Sequence, residues 1–125
     1  LWGQRCNFLD VPTDCPQRDE RLGWTGDAQV FCKAAAINYD VEKFFKKWLG
    51  DVASEQLPDG SIYGIVPEGM LDGQRTLISA GWGDAACIIP WQLYEAYGNK
   101  KLLKQHLPMM KAWVDYLHLL PIGRD

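Results

Sequence analysis

The chain has 125 residues, 47% of them hydrophobic, and a formal net charge of −3. This length is sufficient for one domain with its own apolar core. Its basic residues are not clustered and no apolar run approaches the ~20 residues of a membrane span, so we expect neither a nucleic-acid partner nor a membrane partner.

A charged loop from Asp14 to Asp27 follows a mixed apolar lead-in, Leu1–Pro12, which is predicted to be extended or a short helix. The loop holds four carboxylates, two arginines and one tryptophan, and no helix or strand period runs through it. Buried carboxylates must be paired or hydrogen-bonded, so the loop is either a structural salt-bridge network or a binding site. We favour a carbohydrate site, with carboxylates for hydroxyls and proton transfer and Trp24 as an apolar platform.

Two helices are predicted next. The first, Gly26 to about Asn38, is rich in alanine and poor in charge, which favours an interior position. Asp40 is predicted to cap the second, Val41 to about Ser54. The apolar residues of this second helix fall on one stripe, as is typical of an amphipathic outer helix.

A glycine- and proline-rich connection, residues 58–79, separates the two halves of the chain. Connections of this length in compact domains are usually functional or disordered. Its apolar content favours order, so we predict a short strand at Ser61–Val66 and a role for the connection as one wall of the site.

Two further helices are predicted, Ala85–Tyr97 and Lys100 to about Leu120. Pro90 should kink the first or delay its start, Gly98 should end it, and Pro108 marks a second break. An apolar helix, an amphipathic helix, a long loop and then the same pair again are typical of a double-layered helical toroid. Two hairpins cannot close a ring, so we expect residues 1–125 to be one fragment of an all-α domain.

Several aromatic and imidazole side chains are assigned to packing. Trp48, Trp91 and Trp113 lie on helical stripes and are predicted to be core residues. His106 and His118 are predicted to be packing or surface residues.

The four cysteines stand alone, without a Cys-x-x-Cys pair or a cysteine–histidine spacing of the zinc type. We therefore predict no zinc site and mostly buried, reduced thiols. Reduced thiols favour a cytoplasmic location over a periplasmic or secreted one.

The string Asp14-Cys-Pro-Gln-Arg-Asp-Glu-Arg-Leu-Gly-Trp-Thr-Gly-Asp27 closely resembles the signature of the bacterial α-L-rhamnosidases of glycoside hydrolase family 78. Gly81-Trp-Gly-Asp-Ala85, followed by Pro90-Trp-Gln-Leu-Tyr94, is similar to the next landmark of that family. The resemblance implies an (α/α)6-barrel catalytic domain that removes terminal α-L-rhamnose with inversion. It also implies β-sandwich domains before this segment, the rest of the barrel after it, a rhamnose-containing glycoside or polysaccharide as substrate, and no cofactor.

By the same resemblance, Glu20 corresponds to the general acid of the family. The residues that match the sugar pocket are Asp14, Arg18, Asp19, Trp24 and Asp27, with Trp82 as a second aromatic wall. The general base of the family is a later glutamate that nothing here matches. The isolated chain is therefore expected to be inactive.

Two other interpretations remain open. The chain could be a sugar-binding relic of the same fold that no longer hydrolyses its ligand, which turnover of an aryl rhamnoside would distinguish. A metal site built on Asp14, Asp19 and Asp27 is disfavoured, because the glycine-punctuated spacing of a calcium loop is missing.

Overall fold

A computed structural model shows the architecture and describes residues 1–71 and 74–120. Its helices are α1 (Trp2–Asn7), α2 (Thr25–Asn38), α3 (Glu42–Glu55), α4 (Ala80–Gly83), α5 (Ala85–Tyr97) and α6 (Lys100–Leu119). Two antiparallel two-residue strands, β1 (Met70–Leu71) and β2 (Gln74–Arg75), complete the described elements. The predicted all-α class is confirmed. Within these residues no helix has the length and apolar character needed to span a membrane.

The four long helices form two pairs, α2 with α3 and α5 with α6, each joined by a short connection. Helix α2 packs along α5, α5 packs along α6, and α3 lies against both α5 and α6. Small residues of α2 allow this close approach, because Ala28, Cys32 and Ala35 are almost fully buried. Large core side chains of the other three helices are Phe45, Trp48, Leu49, Val52, Ile89, Leu93, Leu102, Met109 and Trp113. Ile62, Ile65 and Val66, which lie outside the helices, are also fully buried.

The helices are covered on one side only. Val30 and Ile37 of α2 are 81% and 80% exposed, so the interior position predicted for this helix holds for one face. Trp91 of α5 is 51% exposed, and its assignment to the core was therefore wrong. The apolar residues around Trp91 in the sequence predict a buried helix face, but none of the described elements covers that side of α5.

Residues 61–66 of the connection before α4 are buried and hydrogen-bonded, in line with the predicted order, but the strand predicted over them was wrong. The backbone of these six residues bends at Gly64 and Val66, and a single bridge joins Ile65 to Trp24. Their polar groups find partners outside any sheet, since the Trp48 indole N–H donates to the Val66 carbonyl at 2.9 Å. Backbone hydrogen bonds at both ends replace a partner strand.

The helix ends follow local chemistry only in part. Gly98 ends α5 in the left-handed region with φ of 68°, as predicted. Asp40 does not cap α3 in the usual way: Val41 is the N-cap, although an Asp40 carboxylate oxygen accepts from the Glu42 N–H at 3.2 Å. Helix α6 continues through Pro108, so the break predicted there was wrong.

Gly83 lies where α4 meets α6, and a Cβ atom there would stand 2.3 Å from the ring of buried Trp113. We predict that Gly83→Ala lowers the free energy of unfolding by ~1–3 kcal/mol through overpacking. Gly50→Ala is the matched control, because a Cβ on Gly50 meets nothing within 4 Å and alanine favours a helix interior by ~0.5–1 kcal/mol. Urea unfolding of the two variants measures both effects, and equal changes would contradict the packing of α4 on α6.

His106 is buried, and its Nε2 atom has no hydrogen-bond partner among the residues that the structure describes. Burial, with a smaller effect of the Lys46 charge, lowers the pKa of His106 below its ordinary value of 6.5. As the pH falls, His106 takes up a proton at a higher pH in the unfolded chain than in the folded one. The free energy of unfolding therefore decreases as the pH falls through 6.5 towards the lower native pKa. We predict a smaller drop in melting temperature between pH 7.5 and 5.5 for His106→Gln than for the unchanged chain. Identical pH profiles would exclude a buried neutral imidazole.

Candidate active site

The charged loop is closed by Asp14. Its backbone N–H donates to the Leu22 carbonyl, and one of its carboxylate oxygens accepts from the Leu22 N–H, both at 3.0 Å. Burial alone would raise the pKa of Asp14, but hydrogen bonds from Cys15, the Leu22 N–H and Arg18 outweigh it and lower the pKa. Asp14 is therefore held as a carboxylate at the base of the loop.

Glu20 is oriented from two sides. Its Oε1 atom accepts from the Trp24 indole N–H at 2.8 Å, and its Oε2 atom lies 3.3 Å from Nη2 of Arg18. The same Arg18 nitrogen lies 3.3 Å from Oδ2 of Asp14, so one guanidinium bridges both carboxylates. The sequence predicted Trp24 as an apolar platform, and the structure adds a hydrogen-bonding role for its indole.

The start of α2 is hydrogen-bonded to the irregular segment before β1, residues 61–66. The Thr25 N–H and hydroxyl both donate to the Gly64 carbonyl, at 2.9 and 3.1 Å. The Val66 N–H donates to the Gly23 carbonyl at 2.9 Å. A Cβ on Gly23 would stand 2.1 Å from the Val66 oxygen, so only glycine allows this approach. These bonds place the segment against the residues that flank Trp24. Its role as a wall of the site stays a prediction, because none of its described residues lines the cavity bounded by α1, α2 and α4.

Two tryptophans stand beside each other at this point. The rings of Trp24 and Trp82 are 6.5 Å apart between centroids at an interplanar angle of 64°. Trp82 lies on the four-residue helix α4 and is 41% exposed. A Cβ on Gly26 would be 3.0 Å from the Trp82 ring, so α2 approaches it closely.

A cavity of about 750 Å³ opens beside these rings and is bounded by α1, α2 and α4. Among the residues predicted from sequence, it is lined by Asp14, Asp27 and Trp82. The other four predicted site residues, Arg18, Asp19, Glu20 and Trp24, do not line it. Arg18, Glu20 and Trp24 are nevertheless linked to Asp14 through the contacts described above.

Asp19 stands apart from this group. Its side chain is exposed and makes no hydrogen bond or ion pair with any residue in the described ranges. Its place in a sugar pocket stays a prediction.

Asp27 differs electrostatically from Asp14, although both line the cavity. Desolvation by the surrounding protein and the negative charge of Asp14 raise the pKa of Asp27, with a smaller contribution from Glu20. Arg18 acts in the opposite direction but is outweighed. The cavity therefore carries one carboxylate held ionised and one that takes up a proton more readily.

Sequence reasoning missed several polar residues of the cavity wall, which are Gln4, Asn7, Thr13, Gln29 and Asn38. A signal was present for Gln29, because an uncharged polar side chain buried in an alanine-rich helix needs a partner. Asn38 donates to the Gln4 side chain at 3.0 Å, and Gln29 donates to the Gly81 carbonyl at 2.6 Å.

Other potential reactive groups are dispersed. All four cysteines are free, and Cys15 and Cys32 are buried. Burial raises the pKa of the Cys32 thiol to about 12, which makes it unreactive. In residues 1–71 and 74–120 no three His, Cys, Asp or Glu side chains converge as metal ligands.

The chain is similar to known glycosidases over almost its whole length. A family model described as the bacterial alpha-L-rhamnosidase 6 hairpin glycosidase domain matches residues 1–119. An alpha-L-rhamnosidase of Formosa agariphila is 48% identical over 114 residues, covering 91% of this chain and 12% of that protein. One from Streptomyces avermitilis is 48% identical over 116 residues, covering 93% and 11%. The chain thus spans about an eighth of the length of these relatives.

Solved structures agree with this similarity. The Streptomyces avermitilis alpha-L-rhamnosidase complexed with L-rhamnose superposes with a TM-score of 0.82 at 47% identity, covering 94% of this chain and 11% of that one. The enzyme from Dictyoglumus thermophilum gives a TM-score of 0.84 at 38% identity, covering 93% and 13%. The expected architecture, two helical hairpins of a partial (α/α)6 barrel, is thereby confirmed.

The opposite shifts of the two cavity carboxylates can be tested by titration. We predict that Asp14→Asn lowers the pKa of Asp27, because it removes the neighbouring negative charge. Glu20→Gln should lower the pKa of Asp27 less, since Glu20 contributes less to the shift. Side-chain carboxyl NMR signals followed from pH 7 to 2 measure both changes, and a larger effect of Glu20→Gln would refute this placement of Asp27.

Proposed function

This chain belongs to the bacterial α-L-rhamnosidase six-hairpin glycosidase family, and from that membership we propose that it is the acid-bearing part of a longer α-L-rhamnosidase. The longer enzyme hydrolyses terminal, non-reducing α-L-rhamnose residues from glycosides or polysaccharides. The remaining helices of its barrel and β-sandwich domains complete it. The relatives that match this chain are several times longer, which supports this proposal.

The observation that carries the proposal is the hydrogen bond from the Trp24 indole to Oε1 of Glu20, at 2.8 Å. The Oε1 atom already accepts a hydrogen bond from the Trp24 indole N–H. We therefore assign the proton that Glu20 donates to its other oxygen, Oε2. Oε2 faces Arg18, whose side chain is 62% exposed. An exposed ion pair is weak, about 0–1 kcal/mol, so a substrate can displace the guanidinium.

Sugar recognition is assigned to the cavity that Asp14, Asp27 and Trp82 line, which is linked to Glu20 through Asp14 and Arg18. Carboxylates accept charge-assisted hydrogen bonds from hydroxyl groups, as Asp14 and Asp27 can there. Rhamnose is a 6-deoxy sugar, and its methyl group suits the apolar surface of Trp82, whose ring stands beside Trp24. Trp82 is exposed enough to meet a ligand.

Inversion by a single displacement needs a second carboxylate across the sugar ring, ~6.5–9.5 Å from the acid, to activate water. We assign this general base to a part of the enzyme outside these 125 residues. The chain by itself then supplies proton donation and sugar contacts without an activated nucleophile, so it is inactive when isolated.

Glu20→Gln in the full-length enzyme tests the role of the acid. The variant should lose roughly 10²–10⁴ in kcat on a rhamnoside with an alkyl or sugar leaving group, which needs protonation. The kcat on an aryl rhamnoside with an activated leaving group should fall much less, because that leaving group departs without protonation. Comparison of kcat for the two substrates gives the answer.

Trp24→Phe is the matched variant, because it removes the N–H donor to Glu20 and keeps an aromatic wall. It should lower kcat on the poor substrate with little change in KM. Equal losses by Glu20→Gln on both substrates would remove Glu20 from the role of acid. An unmodified enzyme that binds L-rhamnose without hydrolysing either substrate would favour the sugar-binding relic.

A further inference from the structure

Gln29 is a cavity residue whose hydrogen bonding needs an explanation. It lies on α2 and is only 9% exposed. Its Nε2 atom donates to the Gly81 carbonyl at 2.6 Å, across 52 residues of sequence. Its Oε1 atom is buried and has no hydrogen-bond partner within the described ranges. A residue that served packing alone would avoid this unpaired acceptor.

The partner of Gln29 lies in the short helix α4, and no other hydrogen bond among the described residues joins this helix to α2. Helix α4 has four residues, and the side chain of its N-cap, Ser79, forms no capping hydrogen bond. The Trp82 and Gly83 N–H groups bond back to Ser79, within the same turn. Gly81 itself is exposed, and a Cβ there would meet nothing within 4 Å. The bond from Gln29 is therefore the directional link from α2 to this turn.

The ring of Trp82 rests on the same face of α2. Residues three apart on a helix are surface neighbours, so Gly26 and Gln29 lie one above the other. A Cβ on Gly26 would be 3.0 Å from the Trp82 ring, while Gln29 holds the carbonyl of the preceding residue. One face of α2 therefore contacts both the backbone beside Trp82, through Gln29, and the Trp82 ring, through Gly26.

We propose that Gln29 is a positioning residue for the rhamnose site, acting through Trp82. This inference rests on the proposed function, because Trp82 matters for turnover only as a wall of that site. Gln29 determines how far the Trp82 ring stands from Trp24 and the cavity carboxylates, and therefore how well the apolar side of the sugar is covered.

The test uses the full-length enzyme and L-rhamnose binding measured by calorimetry. Gln29→Met removes the donor and the unpaired acceptor while keeping the side-chain length, and the exposed Gly81 carbonyl can turn to water. We expect the Kd for L-rhamnose to rise about tenfold, or ~1.4 kcal/mol, because the displaced Trp82 ring covers less of the sugar. KM should rise with it, and kcat on an aryl rhamnoside should change less.

Gln92→Met is the matched control. Gln92 also has a buried Oε1 atom without a partner in the described part of the chain, but it does not line the cavity. Its substitution should leave the Kd for L-rhamnose unchanged. Should Gln29→Met fail to fold, Gln29→Asn replaces it, because the shorter amide keeps the polarity but cannot reach Gly81.

A double-mutant cycle with Trp82→Ala separates positioning from general structure. If Gln29 acts through Trp82, Gln29→Met has no further effect on the Kd in the Trp82→Ala background. An unchanged Kd in the single variant, or equal losses with and without Trp82, would overturn the role of Gln29. An unmodified enzyme that neither binds L-rhamnose nor hydrolyses an aryl rhamnoside would overturn the proposed function itself.

Discussion

The contact on which the site depends is the backbone junction between residues 23–25 and 64–66. Three hydrogen bonds join the two segments, and the absence of a side chain on Gly23 lets the Val66 carbonyl approach. The Trp48 indole holds the same carbonyl from the core side. The junction thus links the charged loop, the start of α2 and the hydrophobic core. Trp24 lies between the linked residues Gly23 and Thr25, so the backbone at this junction determines the direction of its side chain.

The charged loop obtains its order from neutral donors more than from ion pairs. Arg18 contacts both Asp14 and Glu20, but its side chain is largely in water, where such pairs contribute ~0–1 kcal/mol. The reciprocal hydrogen bonds between Asp14 and Leu22 involve a carboxylate that is only 6% exposed. The loop can therefore keep its shape when the exposed contacts of Arg18 are broken, which the proposed function requires.

The cavity is lined by unlike side chains from several elements. Helix α2 contributes Asp27 and Gln29, α4 contributes Trp82, and the charged loop contributes Asp14. Apolar residues of α2 and α5, such as Val30 and Trp91, remain exposed. That exposure fits a chain whose inner helices are covered by further helices in the longer enzyme proposed here.

The sequence by itself determined the four long helices, the all-α class and the family. Helical periodicity depends on neighbours three and four residues apart, and the Gly98 cap depends on a single residue, so neither needs tertiary information. Only the tertiary contacts settle the irregular path of residues 61–66, the exposure of Trp91 and the contact of Gln29 with Gly81. Each of these features depends on which distant segments pack together, and the local sequence pattern does not specify those contacts.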